Sequence, residues 1–222
     1  MTIYRTIRVI PFALVLVAAF SARAVDAQTL HGRYWNAPSS TTADVAGAQA
    51  FMSANSADGF FTAQQSTLET TGYNGTDLGS AVDFLANDGA SFHGTDKGMS
   101  DGLFDMSGFL TTDTARSYDF STFSDDGSAM FIDGIEVVNN DGHHGTSTAS
   151  GSAFLTAGIH TLDIVYFNWN FENGSGNANF AASFGGATVS PVPETSTVTL
   201  FGLFGVTMAC FMIRSRKRGI NV

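Results

Sequence analysis

Two acidic side chains adjoin one another in Ser124-Asp125-Asp126-Gly127. Side-by-side carboxylates are hard oxygen donors of the kind calcium takes, an ion that gathers about six to eight oxygens from carboxylates, amides and main-chain carbonyls. Along an extended strand neighbouring side chains point to opposite faces, so both carboxylates reach one ion only where the chain between them bends sharply. A cis peptide between two non-proline residues gives such a bend. The same residues also spell an ordinary turn, because Asp bonds to nearby backbone and Gly accepts positive φ. Both readings stand at this level.

Other chemistry is thinner. His143-His144, within Asn139-Asn140-Asp141-Gly142-His143-His144-Gly145, lacks the separated ligand spacing of a structural zinc site, and a solvated loop is the simpler reading. No nucleophile with a base, phosphate loop, Gly-x-Ser-x-Gly or His-Glu-x-x-His motif is present. Glu is scarce and the Asp residues cluster at turns, so no catalytic residue is assigned and the expectation is a protein that is not an enzyme. A glycosidase carboxylate pair is the remaining catalytic alternative. Asn74 and Asn173 each open an Asn-Gly-Ser/Thr sequence, read here as turns.

These residues must be held by short strands. Charged residues make up 14% of the chain against 24 Gly and 20 Phe, a mixture that favours tightly turned strands over amphipathic helices. Ser117 to Phe123 alternates, with Tyr118, Phe120 and Thr122 on one face; an aromatic on each face predicts a largely buried strand. Asp133-Gly134 between Ala129–Ile132 and Ile135–Val138 predicts a tight hairpin. Thr161 to Phe167 groups Leu162, Ile164 and Tyr166, and Ala178 to Phe184 groups Phe180, Ala182 and Phe184, each offering one face to a sandwich core. Leu30 to Trp35 reads as an opening strand, Ala43 to Ser53 as a short helix or insertion, and Asn87 to Gly102 as a long loop. The expected fold is an all-β antiparallel sandwich over residues 28–189, with residues 36–105 the least patterned.

The ends differ in kind. Arg5 and Arg8 precede the apolar run Val9 to Phe20 and the small-residue stretch Ser21 to Ala27, the form of a secretory signal peptide spanning residues 1–27. Val198 to Ile213 is apolar, and with its Thr flank gives a transmembrane helix over residues 195–213, followed by the basic cluster Arg214 to Arg218 that belongs on the cytoplasmic side. The lone Cys210 lies in that run, so no disulfide forms within the chain. Only Arg33, Lys97 and Arg116 lie between the ends. The middle is therefore strongly acidic, which repels phosphate backbones, excludes nucleic acid as a partner and attracts cations.

Two stretches resemble known families. Ser190-Pro191-Val192-Pro193-Glu194-Thr195, the apolar helix and the Arg-rich end resemble a PEP-CTERM sorting tail (residues 190–222), with Thr195 in place of the usual second proline. That resemblance implies recognition and removal by an exosortase. The run Tyr118 to Gly134, then Leu155-Thr156-Ala157-Gly158-Ile159-His160 and Val165-Tyr166, with Gly32-Arg33-Tyr34 as opening strand, resembles the protective-antigen fourteen-kilodalton domain, a β-sandwich of toxins, glycosidases and yeast flocculins. It implies carbohydrate recognition and, in the flocculin-like branch, calcium on an Asp pair and an Asn. Asp125 and Asp126 match the pair, and Asn168 matches the Asn. A sugar's hydroxyls would then complete the ion's shell, with Trp169 or Phe171 offering a flat apolar face to the ring. The expectation is an exported cell-surface or matrix protein that binds glycan or exopolysaccharide, anchored in the membrane before processing. A structural surface-layer protein without a sugar site is the alternative.

Overall fold

The computed structural model describes residues 29–38, 43–65, 72–73, 79–169 and 178–191. In chain order these form β1 (Thr29–Asn36), α1 (Val45–Ala54), β2 (Gly59–Gln64), β3 (Gly72–Tyr73), α2 (Ala81–Leu85) running into a 3-10 turn (Ala86–Ser91), and β4 (His93–Gly94). Then come β5 (Gly102–Thr112), β6 (Arg116–Asp125), β7 (Ser128–Ile132), β8 (Ile135–Asn140), β9 (Ser147–Leu155), β10 (Gly158–Phe167), β11 (Ala178–Ser183) and β12 (Thr188–Pro191). Two antiparallel sheets result. One has the order β4-β2-β1-β5-β10-β7-β8 with β12 also paired to β5, and the other β3-β11-β6-β9.

The alternating patterns set which faces meet. Tyr118 and Phe120 of β6, Leu162, Ile164 and Tyr166 of β10, and Phe180 and Ala182 of β11 all enter one core between the sheets, as period-two alternation requires. Aromatic contacts run through it: Phe84 stacks on Tyr166 with ring centroids 5.4 Å apart, and Tyr166 meets Phe180 at 5.2 Å. β10 is buried on its other face as well. There Val165 and Phe167 pack with Trp35 and Leu103 beneath Val45 and Ala48 of α1, a second apolar cluster.

Two expectations change and one open alternative resolves. β6 is buried on one face only: Phe123 is 40% exposed, because among the described residues no layer lies over the small sheet's outer face. Asn87 to Gly102 is not simply a loop. Its first residues complete the 3-10 turn Ala86–Ser91, His93 and Gly94 pair with β2 as β4, and the Asp96 carboxylate accepts from the amides of Ala81 and Val82 at 2.8 and 3.2 Å, so the stretch also caps the start of α2. Ala43 to Ser53 resolves as the helix α1, capped by Asp44, whose side chain accepts from Gly47 N at 2.6 Å.

The export segment 1–27, the helix 195–213, Cys210, Asn74, Phe171 and Asn173 lie outside the described residues. Ser190 and Pro191, the first residues of the tail motif, pair with Phe109 and Gly108 as the end of β12. Among the described residues no helix is long and apolar enough to cross a membrane.

The Asp133-Gly134 hairpin forms as expected, with φ of 52° and 75° at its two turn residues, the left-handed pair of a type I′ turn. It is tied back to β10. Asp133 Oδ1 accepts from Thr161 N at 2.9 Å, while Oδ2 lies 2.7 Å from His160 Nδ1. His160 Nε2 lies 3.0 Å from the Thr156 carbonyl, so both ring nitrogens face acceptors and the doubly protonated ring satisfies both. The hydrogen bond to Asp133 holds the His160 pKa above its usual 6.5. Burial works against Asp133, yet the bonds from His160 and Thr161 bring its carboxyl below the ordinary range.

A raised His contributes stability that is complete below its unfolded pKa and is lost as pH rises through the folded value. A lowered Asp contributes stability present above its unfolded pKa and lost as pH falls through the folded one. Their shared contribution is therefore fullest between about pH 4 and 6.5. Replacing His160 by Gln should cost about 0.5 to 1 kcal/mol in that window, the scale of a half-exposed ion pair, and progressively less above it. Denaturant unfolding of both proteins across pH checks this, and a pH-independent difference would refute the ion pair.

Candidate functional site

β6 pairs with β9 and β11 in the small sheet, whereas β7 pairs with β8 and β10 in the large one. Asp126-Gly127 is thus the crossing between sheets rather than a hairpin loop, and the bend there is part of the topology. The Asp125-Asp126 peptide is cis. Phe167 N donates to Gly127 O at 2.9 Å, and the Tyr166 hydroxyl donates to Asp125 O at 2.7 Å, so the end of β10 supports both sides of the crossing.

Below it runs a buried hydroxyl chain. Asn140 Nδ2 donates to Ser124 Oγ (2.8 Å), Ser124 Oγ lies 2.8 Å from Ser128 Oγ, and Ser128 donates to Thr122 Oγ1 (2.9 Å). A consistent donor direction along that chain satisfies every buried hydroxyl. Gly127 is set by close approach. A Cβ there would lie 2.3 Å from the Phe167 ring and 2.9 Å from Gly142 O.

The two carboxylates meet two other connections. Asp126, 9% exposed, accepts from His144 N through Oδ1 (3.1 Å) and from Trp169 N through Oδ2 (2.9 Å). Asp125 Oδ2 accepts from Thr146 Oγ1 at 3.3 Å. Asn168, next to the Trp169 amide that Asp126 holds, donates its own N to Gly102 O and its Nδ2 to Met99 O, both at 2.9 Å. The Asn168 side chain is buried, its amide nitrogen directed to Met99. The Asn168-Trp169 segment thus reaches the Asp125–Asp126 end of the sandwich through the Trp169 amide.

Burial lifts the Asp126 carboxyl above its ordinary range and the Asp125 charge adds to this, against the hydrogen bonds from Trp169 and His144. Burial likewise lifts Asp125 against the bond from Thr146. Among the described residues neither carboxylate has a Lys or Arg within ion-pair distance. Two adjacent, partly desolvated acids without a cation suit a hard cation. No three of His, Cys, Asp or Glu converge among the described residues, so a cation here would draw its remaining oxygens from amides and carbonyls.

The 141–146 connection is the part sequence reading undervalued. His143, though exposed, stacks flat on Trp169, with centroids 3.5 Å apart and planes 13° from parallel, so one face of the proposed sugar platform is covered. His144 is half-buried, its ring nitrogens 2.8 and 3.0 Å from the carbonyls of Gly145 and Asn140. Asp141 Oδ1 accepts from Val45 N at 2.7 Å, joining this connection to α1. The register Ser128↔Asn140 places this loop over Gly127, a consequence that no local motif around His143 signals.

Residues 86–183 match the sequence profile of the PA14 domain, the protective-antigen fourteen-kilodalton family. This chain carries a PA14 domain. Its structure is similar to the PA14 sugar-binding domain from an RTX adhesin, at 28% identity and a TM-score of 0.59, covering 71% of this chain and 89% of that one. It is also similar to the PA14 domain of the MpAFP antifreeze protein, at 21% identity and a TM-score of 0.61, covering 77% and 94%. A third likeness, of fold alone, is to an epithelial adhesin A domain from Candida glabrata solved with beta-lactose, at 12% identity and a TM-score of 0.50, covering 76% and 82%. No curated protein matches the chain.

Gly127→Ala should destabilise the PA14 domain by about 1 to 3 kcal/mol, the range for forcing atoms into a packed site. Chemical denaturation gives the number, and a neutral substitution would mean that Phe167 does not hold the crossing.

Proposed function

We propose that this protein is an exported cell-surface or matrix component whose PA14 domain binds glycan and mediates adhesion, with calcium at the Asp125–Asp126 site. The observation that supports the reading is an uncompensated carboxylate pair, held through Asp126 to the amide of Trp169, at the end of a fold shared with a sugar-binding adhesin domain. Asp125, Asp126 and the Asn168 amide oxygen would hold the ion, which supplies a positive centre for a sugar's vicinal hydroxyls. The chain's own residues do the positioning. Asp126 clamps the 144 and 169 amides, Tyr166 steadies the crossing, and Trp169 stands beside the pair with an aromatic surface. Nothing in this reading calls for bond breaking, so the protein acts as a binding module rather than an enzyme. The export signal, the membrane helix and processing by an exosortase complete the proposal for where it works.

One observation favours a second reading, a structural surface-layer protein without a sugar pocket. The ring of His143 lies on Trp169 where a sugar ring would stack.

Calcium added to the full-length chain should raise its melting temperature, and Asp126→Ala should abolish the rise. A broad glycan array, run with calcium and with chelator, should show binding that calcium supports. Binding in neither condition favours the structural reading, and a melting temperature indifferent to calcium removes the ion from the site.

A further inference from the structure

A second group of carboxylates lies on the opposite side of β10 from the core. Where α1 ends its apolar contact with the large sheet, a cavity of about 310 Å³ opens, lined by Arg33, Gln49, Met52, Ser53, Asp105 and Asp163. Strand register assembles it. Arg33 of β1 stands opposite Asp105 of β5, Asp105 stands opposite Val165 of β10, and Asp163 is two residues from Val165 on the same face.

The charges in this cavity do not balance. Arg33 donates to Asp105 Oδ2, and its guanidinium also lies 5.2 Å from the Trp35 ring centroid. Asp105 is 4% exposed, and among the described residues its Oδ1, like Asp163 Oδ1, is buried with no hydrogen bond except through a proton shared between the two acids. One guanidinium against two carboxylates leaves a single uncompensated negative charge. Burial, with Asp105 alongside, pushes the Asp163 carboxyl up to about 8, so at neutral pH a proton supplies the missing charge. Any ligand that replaces the proton must bring one positive charge and hydrogen-bond donors.

We propose that this cleft binds a small ligand carrying one primary ammonium on a hydroxylated body, an amino sugar being the simplest case. The ammonium sits between Asp105 Oδ1 and Asp163 Oδ1, donating to both in place of the proton the two acids share. The hydroxyls meet Gln49 and Ser53, and Met52 supplies apolar cover. A divalent cation would overshoot the charge beside Arg33, and an anion would meet two carboxylates. A neutral sugar brings donors but leaves the charge unbalanced. The cavity volume falls at the lower end of the range for small-molecule pockets, about 300 to 1,000 Å³. The site is separate from the Asp125–Asp126 pair and does not depend on calcium.

Isothermal titration of the full-length chain in chelator, with glucosamine, glucose and N-acetylglucosamine as probes, tests this. Glucosamine should bind with proton release, while glucose, which has a hydroxyl in place of the amine, and N-acetylglucosamine, which has no charge, should not. Asp163→Asn should weaken glucosamine by about tenfold or more, the scale of one lost charge-assisted contact. Ser53→Trp, which fills the cleft from α1 and leaves both acids intact, should block it. Equal binding of the three sugars, no binding of glucosamine, retention of affinity in Asp163→Asn, or binding that appears only with calcium would each overturn the assignment.

Discussion

The carboxylate of Asp126 ties two separate connections to the crossing between the sheets. Its two oxygens take amides from two different connections, His144 after β8 and Trp169 after β10, while its own backbone makes the crossing from one sheet to the other. A charged acceptor of two N–H groups in a poorly solvated place is among the stronger hydrogen-bonding arrangements a protein builds. It is also electrically incomplete, since the donors are neutral and Asp125 adds a like charge. Structural anchoring and the proposed cation site therefore rest on one group, which a site made of loops needs if its loops are to stay in register.

The rest of the end face follows from that anchor. Tyr166 is a core residue by its ring and a site residue by its hydroxyl, which reaches Asp125 O. The buried Thr122, Ser124, Ser128 and Asn140 chain sits where two sheets converge and backbone pairing alone cannot satisfy every polar group. α1 joins in through Val45 and Asp141, so the helix that covers the outer face of the large sheet also touches the loop carrying His143. The PA14 site and the cleft at Arg33, Asp105 and Asp163 thus border the same helix from different sides.

Much was legible because strands of this kind advertise themselves. The alternation in β6, β10 and β11, the Asp133-Gly134 turn and the opening strand at Leu30 each follow from a local rule, and the core built from them is the one found. The stretch Asn87 to Gly102 reads as a loop because Gly, Asn and Asp serve turns of every kind, and only its packing against β2 shows that it holds the end of a 3-10 turn and the short strand β4. The two-faced aromatic pattern of β6 suggested a largely buried strand, but whether a second layer covers a strand is not a property of that strand.

The amino-acid sequence alone determined the class of fold, the pairing of Asp125 with Asp126, the acidic character of the domain and the distinct nature of the two ends, because composition, alternation and adjacency along the chain are local facts. Only the tertiary structure decided that the pair lies on a sheet crossing, that Asp126 bridges the 144 and 169 connections, that His143 covers Trp169, and that Arg33, Asp105 and Asp163 share a cleft. Those relations join residues as much as 130 positions apart. They depend on strand order and register, which arise from the packing of whole sheets and leave no trace in any short segment.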